Sequence, residues 1–114
     1  MKRILLTLLL ICFAIPAFAG QTAITSSEQT ADATIYSGSA QITAIQVVTD
    51  GTNDGKIIIH DSTDNSGVVV FECTVTGGSH YGGRVFIPPI EMSSGIYADI
   101  SGTGASYFVQ YARN

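Results

Sequence analysis

The sequence predicts an all-β fold, an antiparallel β-sandwich of jelly-roll-like form with six to eight short strands, preceded by a cleavable signal peptide. Three observations lead there. Beyond residue 19, apolar side chains recur at every second position in short runs, and clusters of Gly, Asn, Asp and Ser separate the runs. Val, Ile, Thr and Tyr, whose side chains fit a pleated surface, fill those runs. No stretch after residue 19 has the i, i+3, i+4 spacing that would bury one face of a helix.

At the N-terminus, Lys2 and Arg3 precede an apolar segment at 4–15, and Ala17-Phe18-Ala19 gives the small-x-small pattern read by signal peptidase before Gly20. That segment is shorter than the roughly 20 residues needed to cross a bilayer. The expected plan is therefore a signal peptide at 1–19, a flexible arm at 20–32 and a sandwich domain at 33–114. The expected destination is the periplasm, the medium or a cell or particle surface, with no stable membrane insertion. The arm, GQTAITSSEQTAD, is small, polar and without period.

Residues 33–36 read as a first strand, ended by Ser37-Gly38-Ser39. Over 41–49, Ile42, Ala44 and Val48 share one face and Thr43, Ile45, Val47 and Thr49 the other. The turn cluster DGTNDG at 50–55 leads to a strand at 56–60, KIIIH, and the loop DSTDNSG to a strand at 68–75, VVVFECTV. The glycine-rich loop 76–83 precedes a strand at 84–87, which Pro88-Pro89 should stop because proline cannot donate to a ladder. Strands at 96–100 and 106–112 follow, joined by the turn SGTGA.

Charge and chemistry exclude several functions. Without residues 1–19 the chain holds Lys56, Arg84 and Arg113 against nine acids, a balance that provides no basic footprint for nucleic acid or anionic membrane. Cys73 is then the one cysteine, so no intrachain disulfide can form, and its neighbours Phe71 and Val75 make it a small hydrophobe. No serine lies in G-x-S-x-G, and Gly102-x-Gly104 lacks the third glycine and the helix of a dinucleotide site. The expectation is a non-enzymatic protein without cofactor or metal.

Strand parity sorts the loops. Antiparallel strands gather 50–55, 76–83 and 101–105 at one end of the domain, and 61–67 with 88–94 at the other. The first end carries Asp50, Asn53, Asp54, His80 and Tyr81, the predicted ligand-binding rim. His60 and His80 fall at opposite ends and read as isolated surface residues. Asp50-x-Thr52-x-Asp54-Gly55, with Asp61 beyond, echoes a calcium loop, but Thr52 replaces an acid or amide and an extended KIIIH intervenes. A hairpin turn is the preferred reading.

The order of these segments resembles that of small single-domain β-sandwich proteins encoded among the virion structural genes of tailed bacteriophages. The resemblance rests on Val48-Thr49-Asp50-Gly51-Thr52-Asn53, Ile57-Ile58-Ile59-His60-Asp61-Ser62-Thr63 before Ser66-Gly67, Tyr81-Gly82-Gly83, and the run from Ser94-Gly95-Ile96-Tyr97 to Gly104-Ala105. It spans about residues 40–112, and the signal peptide is an addition to the family's pattern. It implies a non-enzymatic particle-surface or fibre-associated role, often as a homo-oligomer with a trimer favoured, and brings no catalytic residues. The alternative is an exported carbohydrate-binding module, for which Tyr81 is the aromatic that falls in a loop.

Self-association also has a basis in the residues. A monomeric sandwich needs one apolar face per strand, yet Ile58, Val68, Val70 and Tyr97 fall on faces that should be wet. These four residues are the predicted oligomer interface, and a charge at Val70 is expected to dissociate an oligomer or unfold a monomer.

Overall fold

Strand pairing begins inside the segment expected to be an arm. The computed structural model describes residues 23–114, so the predicted signal peptide lies outside the described residues. Eight strands follow in order: β1 (Ile24–Thr25), β2 (Ala33–Ser37), β3 (Ala40–Val48), β4 (Gly55–Asp61), β5 (Val68–Val75), β6 (Tyr81–Met92), β7 (Gly95–Ser101) and β8 (Ser106–Arg113). They form two antiparallel four-stranded sheets, ordered β1-β8-β3-β6 and β2-β7-β4-β5. The expected all-β architecture is present, sandwich-like, with no helix among the described residues.

One shared core holds the sheets together. Ile42, Ile45, Val47, Tyr107 and Val109 from the first sheet meet Ile57, Ile59, Ile96 and Ala98 from the second, each almost wholly buried. Burying a side chain of this size contributes about 1.5–3 kcal/mol. Tyr107 and Tyr111 belong to this core, as strand tyrosines should.

Two register shifts explain why the sequence shows aliphatic residues on both faces. In β3 the ladder slips between Ile42 and Ala44 against both neighbours, so Ile42 faces inward together with Ile45 and Val47. In β5 it slips opposite Ile59/His60, leaving Val70 without a partner. An extra residue in one strand inverts the alternation beyond it. Val70 consequently packs against the core beside Phe71 and Cys73, while Val69 turns outward. Val70, one of the four predicted interface residues, is thus half-buried against its own core, and a charge there is expected to report on folding.

The prolines do not end β6. Val85 pairs with Ala44 and Ile90 with Ile42, so residues 86–89, with a cis bond between Ile87 and Pro88, bulge opposite Thr43. Because β6 is an edge strand, the missing proline donors leave no ladder bond unmade. Phe86 meets Phe71 edge to face, with centroids 5.0 Å apart, and closes this side of the core.

The expected arm is partly anchored. Ile24 and Thr25 pair with Tyr111 and Gln110, and Gln29 exchanges both backbone hydrogen bonds with Tyr107. Ile24 packs on the core, an apolar residue that no local pattern marked.

Candidate functional site

The loops gather as parity predicts, but their polar groups are spent on one another. Asp50 accepts the N–H groups of Thr52 (2.9 Å) and Asn53 (2.8 Å) and the Asn53 amide (2.8 Å). The Asn53 and Thr52 backbone bonds hold its carboxyl below the ordinary range. Asp54 accepts the Gly77 N–H and ties this turn to the 76–81 loop. The His80 ring lies over Gly51, where a Cβ would come within 2.5 Å of His80 Cε1 and φ is +81°, so only glycine suits the contact. Asp50, Asn53, Asp54 and His80 therefore form an interlocked loop cluster, and Tyr81 stands apart from it at the start of β6, largely exposed.

At the other end, Asp61 holds the β6–β7 turn. Its carboxylate accepts the N–H groups of Ser93 (3.0 Å), Ser94 (2.8 Å) and Gly95 (3.4 Å) and the Ser93 hydroxyl (2.9 Å). Asp50 and Asp54 are thus separated from Asp61 by the whole of β4, and the calcium-like spacing does not converge. Adding calcium is expected to leave the melting temperature unchanged; a rise that saturates with calcium would show otherwise.

His60 is not a surface residue, contrary to the sequence reading. The loop after β4 folds back over the outer face of the second sheet, with the Thr34 hydroxyl donating to the Thr63 carbonyl (2.7 Å). Under it His60 is buried, its Nδ1 3.0 Å from the Gly67 carbonyl and its ring edge-on to Tyr97. A carbonyl only accepts, so Nδ1–H is the donor in this contact, and Nε2 is buried without a partner. Asp64 stiffens the loop by accepting from Ser66 and Ser62, bonds that keep its carboxyl below the usual range. Burial together with the charges of Asp32, Asp99 and Asp64 pushes the Tyr97 hydroxyl up. Tyr97 and Ile58, both half-buried, are thereby partly covered by their own chain.

Two features of β6 remain open. The first is an edge: β6 and β5 end their sheets on the same side of the sandwich, joined by the Phe71–Phe86 contact. Exposed on these two strands are Val68 (73%), Val69 (51%), Tyr81 (71%), Val85 (68%) and Ile87 (91%), with Tyr81 and Val85 on the outer face of the first sheet and Val69 on that of the second. Thr49 N–H donates to the His80 carbonyl at 2.8 Å, and antiparallel alternation from that bond turns the backbone groups of Tyr81, Gly83 and Val85 away from β3. Of the predicted interface residues, Val68 belongs to this edge. Val85 and Ile87 were missed, although two aliphatic residues flanking Phe86 beside a proline pair were a readable signal.

The second is a groove of about 600 Å³ across the outer face of the first sheet. Register places Phe108, Gln46 and Gly83 in one row across β8, β3 and β6, and Gln110, Ala44 and Val85 in the next. Small residues at 83 and 44 form the floor, and a Cβ on Gly83 would strike the Ile45 carbonyl at 2.2 Å. Tyr81, Phe108 and Val85 form the apolar walls, with Gln46, Gln110 and Thr25 supplying polar groups, whereas Arg84, paired with Ile45, borders the groove from the opposite face of the sheet. Among the described residues no three His, Cys, Asp or Glu side chains cluster as metal ligands. No family model, curated protein or solved structure matches this chain.

Proposed function

We propose that this chain is an exported, non-enzymatic structural protein that displays its sandwich at a cell or particle surface and assembles with further copies of itself. The observation that carries the reading is the β5–β6 edge. A soluble monomer rarely leaves several large apolar side chains exposed on two neighbouring edge strands beside unpaired strand backbone, because such an edge invites association. Covering Val68, Val85 and Ile87 against a second copy would recover about 1.5–3 kcal/mol for each side chain fully buried. Pro88, Pro89 and the bulge blunt the later half of β6, so a partner has the 81–85 backbone on which to pair.

The strand orders support a jelly roll. Read along the chain, β1-β8-β3-β6 and β2-β7-β4-β5 are two interleaved Greek keys, an architecture shared by capsid and sugar-binding domains. Fold-level likeness of this kind is analogy and does not select between those roles. The phage virion resemblance favours the first and implies a trimer, which would need a head-to-tail ring of such contacts.

Light scattering on protein produced from the full chain tests the reading. The expected mass is a multiple of one chain, and Val68→Asp with Ile87→Asp should reduce it to a single chain while the melting temperature holds, since both side chains are exposed. A parent protein that stays monomeric across a concentration series would overturn it.

A further inference from the structure

We infer that a second copy docks edge to edge, its β6 antiparallel to β6 across a two-fold axis at Gly83, so that Tyr81 of each copy lies opposite Val85 of the other. The inference rests on the self-association reading and specifies the contact that β6 makes.

The backbone sets the register. Tyr81, Gly83 and Val85 turn their N–H and C=O groups away from β3, whereas the preceding His80 spends its carbonyl on Thr49 N–H. The bulge at 86–89, with its two prolines, closes the free stretch on the other side. Antiparallel pairing centred on Gly83 gives every one of the free groups a partner. Tyr81 exchanges both bonds with Val85 of the second copy, and the two Gly83 residues exchange theirs across the axis. A slip of two residues leaves one end residue of each copy unpaired, and a slip of one sets outward groups against inward ones.

The side chains suit the same register. Tyr81 beside Val85 is an aromatic and β-branched pair, a combination that stabilises a ladder, and both are largely exposed in the single chain. Glycines meet at the axis, and on the other face Arg84 falls opposite Gly82, where no side chain obstructs it. The row Phe108, Gln46, Gly83 runs on into Gly83, Gln46 and Phe108 of the second copy, so the groove continues from one copy into the other. Running antiparallel, the chain beyond Val85 carries Ile87 of each copy toward the loop before Tyr81 of the other.

Charge and the remaining edges favour this two-fold contact. The chain has a surplus of acids, yet none lies between Glu72 and Glu91 in sequence, so neither β6 segment brings a carboxylate to the axis. A head-to-tail ring would need β6 to meet a different free edge, and each of the others is blunted. β1 offers 2 residues, β2 slips register between Thr34 and Tyr36, and β5 slips opposite Ile59/His60 and carries Glu72, paired with Lys56. The two-fold contact therefore stands against the trimer that the phage resemblance implies.

Light scattering on protein produced from the full chain should give a mass of two chains. Val85→Pro removes an N–H that points away from β3, so it should leave single chains with the parent's β-sheet circular dichroism. Arg84→Pro, one residue away, removes an N–H directed at Ile45 and should lower the melting temperature. Disulfide capture reads the register independently. In a Cys73→Ala background, Tyr81→Cys mixed with Val85→Cys should cross-link on oxidation, because opposed residues stand about 5.5 Å apart, and neither variant alone should do so. A parent that stays monomeric would overturn this inference together with the self-association reading. A mass of three chains, a dimer that persists in Val85→Pro, or a mixture that does not cross-link would leave that reading standing and overturn the two-fold contact.

Discussion

Replacing Asp61 by alanine is expected to lower stability by about 2–3 kcal/mol, seen as a fall of about 10–20 °C in melting temperature for a domain of this size. The side chain accepts three successive backbone N–H groups and a hydroxyl from Ser93, Ser94 and Gly95, which no other group in the turn can replace. Gly95 is buried, so its N–H cannot turn to water, whereas those of Ser93 and Ser94 are exposed and recover part of the loss. Burial alone would raise the Asp61 pKa, but the bonds from Ser93, Ser94 and Gly95 outweigh it and the net shift is downward. A depressed carboxyl contributes stability that is present above the unfolded pKa, about 3.9, and is lost as pH falls through the folded value. Urea midpoints at neutral and acid pH should therefore drop less in Asp61→Asn than in the parent. Equal drops would show that the carboxylate does not hold the turn.

That role was invisible in the sequence, where Asp61 is one polar residue in a run of loop formers. What alternation could show, it did show: β3, β4, β5, β7 and β8 lie where the runs of Val, Ile and Tyr predicted, because a strand's period is a local property. Parity correctly placed the loops at two ends for the same reason. Whatever depended on a contact far along the chain was lost. Ile24 became a strand residue only because β8 offers a free edge, and His60 became buried only because Thr34 pins the following loop over it. The bulges in β3 and β5 had the largest consequence. They invert faces mid-strand, so Ile42 was grouped with Ala44 and Val48 instead of Ile45 and Val47, and Val70 looked stranded, when each in fact turns to the core. The argument for assembly survives with different residues, Val85 and Ile87 joining Val68. For the candidate binding site, Tyr81 was legible as an exposed aromatic. Phe108, Gln46 and Gly83 were not, because they share a face only through the pairing of three strands distant in sequence.

Tyr107→Ala is expected to cost the most, about 3–5 kcal/mol, a large share of the roughly 5–15 kcal/mol that holds a small domain folded. The ring is wholly buried, and its residue is also the anchor of the N-terminal segment. Tyr107 N–H donates to Gln29 O (2.9 Å), Gln29 N–H returns the bond (3.0 Å), and the phenol donates to the Ala31 carbonyl (3.1 Å). Loss of the ring should therefore expose residues 23–32 to protease as well as lower the melting temperature. Tyr107→Phe separates the two contributions: it keeps the ring, removes one hydrogen bond, and should cost about 1 kcal/mol or less because Ala31 is exposed and its carbonyl can turn to water. The phenol also makes stability depend on alkali. Burial first, then the charges of Asp32 and Tyr97, push its pKa up to about 12. A group that must stay protonated in the fold contributes stability that is complete below its unfolded pKa, about 10, and is lost as pH rises through the folded value. The parent should thus weaken between about pH 10 and 12, and Tyr107→Phe should weaken less over the same interval. If tyrosinate absorbance shows every phenol ionising near pH 10 with stability unchanged, the bond to Ala31 is not holding the proton, and the anchoring of the N-terminal segment rests on Gln29 alone.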